Sequence, residues 1–356
     1  MTAPRRSPWR PWTLRLGLTL GSLVAALVAA ELALRAVYDE AEVNGNYWGR
    51  GAFVAFPGAG YRHAPGFRGR AVRPGVFDVA VEIDETGLRQ VDLERQLARP
   101  RRLLLLGDSF PFGLGVAAEE ALPARLAERL EAAGVGVVNG AQTGYDVAQS
   151  AAWGRHLIDR FESDPVRLTP FLSNDVLDGW SGGGPRVDVV DGYRLSHRRR
   201  PRGAFFDALR TRSYVWMRVA CTLGNRWRQQ EWRRYFRTTW ERDPAAAPAP
   251  ALEAMLALRD LCAKRGIGFA AVLIPYRKGP TPFDEPVRET LRREGVPLFD
   301  FSGRLSVEEH YLAGDGHWNA AGHAEAARIL APWLDPLPSV RDAGASFAAR
   351  DTEDGR

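Results

Sequence analysis

Four consecutive leucines, residues 103–106, run directly into Gly107-Asp108-Ser109, and that junction narrows the folds open to this chain. A short, unbroken apolar run reads as a strand covered on both faces, and such strands belong to parallel sheets flanked by helices. Glycine permits a sharp bend at the strand's end. A serine at that bend stands at the carboxyl edge of the sheet, where open α/β sheets place their chemistry, and its hydroxyl can face a cleft as a nucleophile. Taken alone, Gly-Asp-Ser is also an ordinary polar turn.

Strand and helix patterns alternate from this point. Strands are predicted at 103–106, 135–138, 166–172, 270–274 and 297–301. Between them, helices are predicted at 119–133, 146–161, 252–265 and 285–294, and a closing helix at 320–334 is capped by Asn319. Alternation of this kind implies an α/β fold, a parallel sheet with helices on both faces. With 356 residues the chain can hold one sizeable core with additions. Residues 39–100 read as an N-terminal extension of irregular loops and short β-structure, with a half-exposed strand at 79–83. Residues 178–248 interrupt the alternation with Gly182-Gly183-Gly184-Pro185, the run Arg198-Arg199-Arg200-Pro201-Arg202, and a basic, aromatic stretch holding Trp216, Trp227, Trp232, Tyr235 and Phe236. Arginine with exposed aromatics suits carbohydrate, anionic polymers or lipid headgroups. The helical spacing of Trp216, Leu223 and Trp227 reads instead as core, with arginines on the solvated face. Residues 336–356 are polar and read as a loose tail.

The first 38 residues bear on location. Arg5, Arg6, Arg10 and Arg15 precede the apolar stretch 16–30, and positive charge before an apolar segment keeps the N-terminus cytoplasmic. Fifteen helical residues span about 22 Å against a hydrocarbon core of about 30 Å; continuation through Leu32, Leu34 and Val37 completes a transmembrane signal-anchor. Cleavage after Val28-Ala29-Ala30 is the alternative, giving a secreted protein. Either way the remainder is expected outside the cytoplasm. The net charge of +5 rests on arginine, because Lys264 and Lys278 are the only lysines. Cys221 and Cys262 can form at most one disulfide and otherwise are plain thiols. No Cys/His cluster has zinc spacing, so neither metal nor cofactor is expected, and an exported chain is not expected to bind nucleic acid.

Three later segments complete a pattern begun by Ser109: Val137-Val138-Asn139-Gly140-Ala141-Gln142-Thr143-Gly144, Phe171-Leu172-Ser173-Asn174-Asp175, and Gly314-Asp315-Gly316-His317-Trp318-Asn319. Over about residues 100–335 the chain resembles the SGNH (GDSL-type) hydrolase family, whose four blocks carry Ser, Gly, Asn and His in this order. The resemblance implies a three-layer α/β/α, flavodoxin-like sheet, a domain spanning 101–335, and 178–248 as an inserted lid or wall near the cleft. It also implies Ser109 as nucleophile, His317 as general base and Asp315 as the acid that orients it. The oxyanion hole would be the backbone N–H of Ser109, the backbone N–H of Gly144 and the side-chain amide of Asn174. Two positions depart from the family pattern. Leu172 stands where glycine usually precedes the asparagine by two. The last block reads Asp-x-His-Trp instead of Asp-x-x-His, a form similar to polysaccharide O-acetylating enzymes. Residues two apart do not share a helix face, so Asp315 and His317 are expected on a looped segment. Structural roles stay open beside these: His310 and His323 flank His317, Asn174 can cap a helix from Val176, and Asp108, Asp175 and Asp315 can hold loops.

The expected function is that of a membrane-anchored, extracytoplasmic serine esterase acting on O-acyl esters, with acetylated glycans the first substrate class. Two rivals stand beside it. One is an O-acyltransferase that uses the same triad on an exopolysaccharide or cell-envelope glycan and draws on an acyl-donor membrane protein. The other is a non-catalytic glycan-binding protein.

Overall fold

The computed structural model describes residues 10–44, 47–161, 167–172, 187–196, 203–235, 238, 243, 246, 248–275 and 284–334. In chain order its strands are β1 (Phe53–Phe56), β2 (Gly60–His63), β3 (Arg68–Arg73), β4 (Phe77–Glu82), β5 (Arg101–Leu106), β6 (Val135–Asn139), β7 (Arg167–Leu172), β8 (Val187–Val190), β9 (Tyr193–Ser196), β10 (Gly268–Phe269), β11 (Ala271–Leu273) and β12 (Leu298–Asp300). Five of them form a parallel sheet in the spatial order β6-β5-β7-β11-β12, with β10 beside the start of β7. Numbered within the sheet this is 2-1-3-4-5, the flavodoxin-like order, whose switch point lies between β5 and β7. The loop after β5, which begins Gly107-Asp108-Ser109, opens at that crevice.

The leucine run explains the layers. Side chains alternate across a strand, so Leu103 and Leu105 join a core built with helices Leu122–Leu130 and Ala320–Leu334. Leu104 and Leu106 join the opposite core, with Trp153, Leu157 and Ile158 of helix Val147–Arg160 and Leu258 of helix Ala249–Lys264. The sheet is covered on both sides, giving three layers.

Most elements lie within three residues of their predicted bounds, and one prediction is corrected. The single helix expected over 119–133 is a 3₁₀ turn, Ala118–Glu120, followed by a separate helix Leu122–Leu130. Pro123 sits in that helix's first turn, where a residue lacking an N–H starts a helix and cannot continue one.

The N-terminal extension holds short β-structure. It forms two antiparallel hairpins, β1–β2 and β3–β4, and bonds to the sheet's exposed edge. Gln96 Oε1 accepts the Val137 N–H at 3.1 Å and Gln90 Oε1 the Asn139 N–H at 2.7 Å, satisfying donors on edge strand β6 that would otherwise invite pairing. Arg89 is buried and donates to the carbonyls of Phe112 (3.2 Å), Gly113 (2.6 Å) and Val116 (2.6 Å), just beyond Ser109.

The described parts of the insertion pack on the extension. Hairpin β8–β9 meets it through Gly51 N–H to Asp191 O (3.3 Å) and Phe53 N–H to Gly192 O (3.0 Å). Val43, Tyr193, Leu195 and Met217 form a small core there. The expected core face of helix Tyr214–Tyr235 is therefore corrected: Met217 is buried, Trp216 is half-buried and Leu223 is 42% exposed, because among the described side chains it is Tyr214 and Met217 that pack on the hairpin core. The side chain of Trp227, residues 182–185 and 198–202, and the tail 336–356 lie outside the described residues. No disulfide joins Cys221 and Cys262.

Helix Arg10–Val37 carries exposed leucines along its length, and its 26-residue segment Trp12–Val37, with mean hydropathy 1.9, is long and apolar enough to cross a membrane. Near its end, Glu31 accepts from Ser213 Oγ (3.0 Å), Tyr214 N–H (2.9 Å) and Val215 N–H (3.0 Å), supplying from a distant helix the N-terminal cap that Tyr214–Tyr235 needs. Arg35 pairs with Glu31 at 2.7 Å and lies 4.5 Å over the Tyr214 ring.

Arg89→Met should remove three buried hydrogen bonds to backbone carbonyls and cost about 2–5 kcal/mol of stability. Urea unfolding measures this, and an unchanged midpoint would show that the loop after Ser109 does not depend on Arg89.

Candidate active site

Ser109 begins a one-turn helix, Ser109–Phe112, whose N-cap is Asp108, with Oδ1 accepting the Phe110 N–H at 3.0 Å. Gly107 has φ 146°, and a Cβ there would stand 2.8 Å from Pro111 Cγ and 3.1 Å from Phe171 Cβ. Only glycine fits that bend, so β5 can turn tightly enough to place Ser109 at the sheet's edge. Asp108 is thus a loop-holding residue in this geometry.

Ser109 Oγ lies 2.6 Å from His317 Nε2, across 208 residues of chain. His317 Nδ1 in turn hydrogen-bonds Asp315 Oδ1, and the same oxygen accepts the His317 backbone N–H at 2.9 Å. The segment carrying them is a loop closed by a Tyr311–Trp318 bridge, with Leu312 N–H to His317 O at 2.9 Å and Asp315 N–H to Leu312 O at 3.0 Å, as the two-residue spacing requires. Trp318 is fully buried against Phe110 and Phe301, which fixes the backbone beside His317. The bonds require an imidazole protonated at Nδ1 with its Nε2 lone pair toward Ser109. Burial, with the positive charge of Arg73, holds His317 below its ordinary pKa, while Asp108 acts in the opposite sense.

The neighbouring histidines have other work. His323 Nδ1 accepts the Leu122 N–H at 3.1 Å and burial lowers its pKa to about 3, so it is neutral. His310 Nδ1 accepts the Ser306 N–H at 2.9 Å.

Gly144 lies on the loop after β6 with φ 70°, and Gln142 N–H to Gly107 O at 3.1 Å holds that loop beside the serine turn. Arg194, on β9, fills the space where a side chain at 144 would go. Its Nη1 donates to Thr143 O and to Tyr61 Oη, both at 2.6 Å, and its guanidinium stacks on Phe53 and Tyr61. On the other side, His63 Nε2 meets Thr143 Oγ1 at 2.9 Å. Asn174 and Asp175 lie outside the described residues. The structure therefore brings together Ser109, His317 and Asp315, sets the Gly144 loop beside the serine turn, and leaves Asn174 undescribed. Among the described residues no group of three or more His, Cys, Asp and Glu side chains is arranged to hold a metal.

Sequence reasoning missed Arg73, Arg89 and Arg194. Arg73 comes from the N-terminal hairpin and pairs with Asp315 Oδ2. None of the three belongs to a motif, and in a chain with 48 basic residues nothing separates them from solvated arginines.

No family model matches the chain, and no curated protein matches it. Solved structures do. The crystal structure of TesA has 18% identity and a TM-score of 0.42 over 67% of this chain and 100% of its own. The esterase EstA from Pseudoalteromonas sp. has 14% identity and a TM-score of 0.40, covering 66% of this chain and 99% of its own. AlinE4, an SGNH-hydrolase family esterase, has 15% identity and a TM-score of 0.33, covering 56% and 74%. At this similarity nothing about the chain's reaction follows from them; what the site can do follows from its own geometry. Of these neighbours AlinE4 is described as an SGNH-hydrolase family esterase, the family whose four sequence blocks this chain resembles.

Proposed function

We propose that the chain is a serine acyl hydrolase acting on O-acyl esters, and that its catalytic residues are Ser109, His317 and Asp315. The carrying observation is the 2.6 Å approach of Ser109 Oγ to His317 Nε2 with Asp315 on the other ring nitrogen. In this reading Ser109 Oγ attacks the ester carbonyl while His317 Nε2 takes its proton, and Asp315 stabilises the imidazolium that forms. His317 then returns the proton to the leaving alcohol. The acyl group stays on Ser109 until water, deprotonated by His317, releases it as the carboxylic acid. The N–H groups of Ser109 and Gly144 and the amide of Asn174 are the proposed donors to the tetrahedral oxyanion. A positive φ at Gly144 supports this role, because it frees the backbone N–H from ordinary extended geometry.

Acetylated glycans outside the cytoplasm remain the proposed substrate class, and helix Arg10–Val37 the proposed membrane anchor. Glu31 is the first residue after the alternative cleavage point, so its cap on helix Tyr214–Tyr235 is kept in either form. Residues 12–30 before Glu31 cover about 28 Å at 1.5 Å per residue, close to a hydrocarbon core, which would put Glu31 and Arg35 at the surface where the domain begins.

A fluorophosphonate probe should label Ser109 in the full-length protein, and Ser109→Ala should escape labelling. Ser109→Ala and His317→Ala should each lower kcat on a short-chain aryl ester by roughly 10⁴–10⁶, the double variant little further, because the residues act as a unit. A folded protein that neither labels nor turns over such esters and acetylated glycans would be a binder instead. Acceptor-dependent ester formation that outruns acetate release would make it a transferase.

Since the base must be neutral and its pKa is held down, kcat/KM should stay level as pH falls through about 6.5, the ordinary imidazole value, and decline only below it. An acid limb centred above pH 7 would contradict this. Carbonate-washed membranes should retain the intact chain; a soluble product starting at Glu31 would show cleavage.

A further inference from the structure

We propose that Arg73, on the hairpin that precedes the catalytic domain, is a positioning residue of the triad: its guanidinium holds Asp315 as the anion that orients His317. The inference rests on the reading of Ser109 and His317 as nucleophile and base. Asp315 divides its two oxygens. Oδ1 takes both bonds from His317, and Oδ2 faces Arg73 Nη1. The Asp315 side chain is 1% exposed and that of Arg73 38%. A carboxylate so deeply buried beside a neutral imidazole has no net countercharge in His317, and burial favours its protonation. A protonated Asp315 would hold the imidazole less firmly and would not stabilise the imidazolium. Arg73 removes that instability at the one oxygen His317 leaves open, and its charge also disfavours a resting imidazolium.

The arginine is delivered by a rigid element. Residues 68–73 of β3 pair with 77–82 of β4 in unbroken register, and the Val76 N–H bonds to Arg73 O at 2.9 Å to close the turn. The tip is seated on the loops it serves. A Cβ on Gly314, next to Asp315, would be 3.8 Å from Val76 Cγ2, and one on Gly115 would be 3.1 Å from Phe77 Cδ1. The neighbouring Arg70 is engaged elsewhere, with Asp78. Among the described residues, the charged and titratable groups around His317 are Asp315 on its own loop, Arg73 on the hairpin and Asp108 before the serine turn. Behind it stands neutral His323 from helix Ala320–Leu334, with Arg89 near that histidine. Of the two arginines, Arg73 alone touches the triad.

A charge role and a packing role separate in the pH profile. Without the guanidinium, the Asp315–His317 pair takes up a proton more readily, so the acid limb of kcat/KM must move up. The test compares wild type, Arg73→Gln and Arg73→Lys as full-length proteins, by aryl-ester turnover across pH and by the rate of fluorophosphonate labelling at Ser109. Expected for Arg73→Gln is an acid limb raised by about one unit or more, slower labelling at neutral pH and a fall in kcat with KM retained. Arg73→Lys, which restores charge without the fork, should return the limb most of the way. The proposal is overturned if wild type is labelled and active and the Arg73→Gln profile overlays it. It is also overturned if Arg73→Gln and Arg73→Lys lose activity alike with the limb unmoved, the result of a packing role. A wild type that is folded yet neither labels nor turns over defeats the triad reading itself, and this inference with it.

Discussion

A parallel sheet delivers its functional loops to one edge, and the buried peptide groups of those loops must find partners. In this chain several of those partners come from outside the sheet domain. Arg89 bonds three carbonyls beyond the serine turn. Tyr61 Oη donates to Thr143 O at 3.0 Å and Gln142 Nε2 to Gly87 O at 3.0 Å, fixing the Gly144 loop. Gln149, in the capping box of helix Val147–Arg160, reaches Ala59 O at 2.6 Å. These are buried bonds between the 39–100 segment and the loops at the sheet's edge, so the segment is part of the site's frame and not an ornament on it.

The same segment sets the site's electrostatics. Contacts run along one line, from the Arg73 guanidinium to the Asp315 carboxylate, the His317 ring and the Ser109 hydroxyl. Under the proposed triad each member restrains the next, and the last is the one that reacts. Arg194 makes a comparable contribution from the insertion. It is stacked between aromatic rings of the extension and bonded to Thr143 O, so extension and insertion converge on the loop bearing Gly144. The insertion's described hairpin is therefore a brace under that loop more than a cover above the serine.

A chain of contacts also links this frame to the apolar helix. Glu31 caps helix Tyr214–Tyr235, whose Met217 packs with Val43 and with Tyr193 of β9, the strand that carries Arg194. Under the proposed membrane anchoring, the orientation of the domain at the surface would be set by this joint and not by a slack tether.

Local pattern in the sequence determined the sheet domain. Short apolar-rich runs gave the strands, 3.6-residue periodicity the helices, and the leucine run both cores, because these depend on near neighbours alone. The spacing Asp315-x-His317 also constrained its own backbone to a loop. Only Pro123's break in the helical stretch after Glu120 was misread there, since apolar spacing continues through it. What tertiary structure alone decided is which distant polar groups meet. Arg73 lies more than two hundred residues from Asp315 and Arg194 about fifty from Gly144, and no periodicity marks either. A hydrogen bond or ion pair across such separations is fixed by how hairpins seat on loops, and that geometry is set by the packed whole.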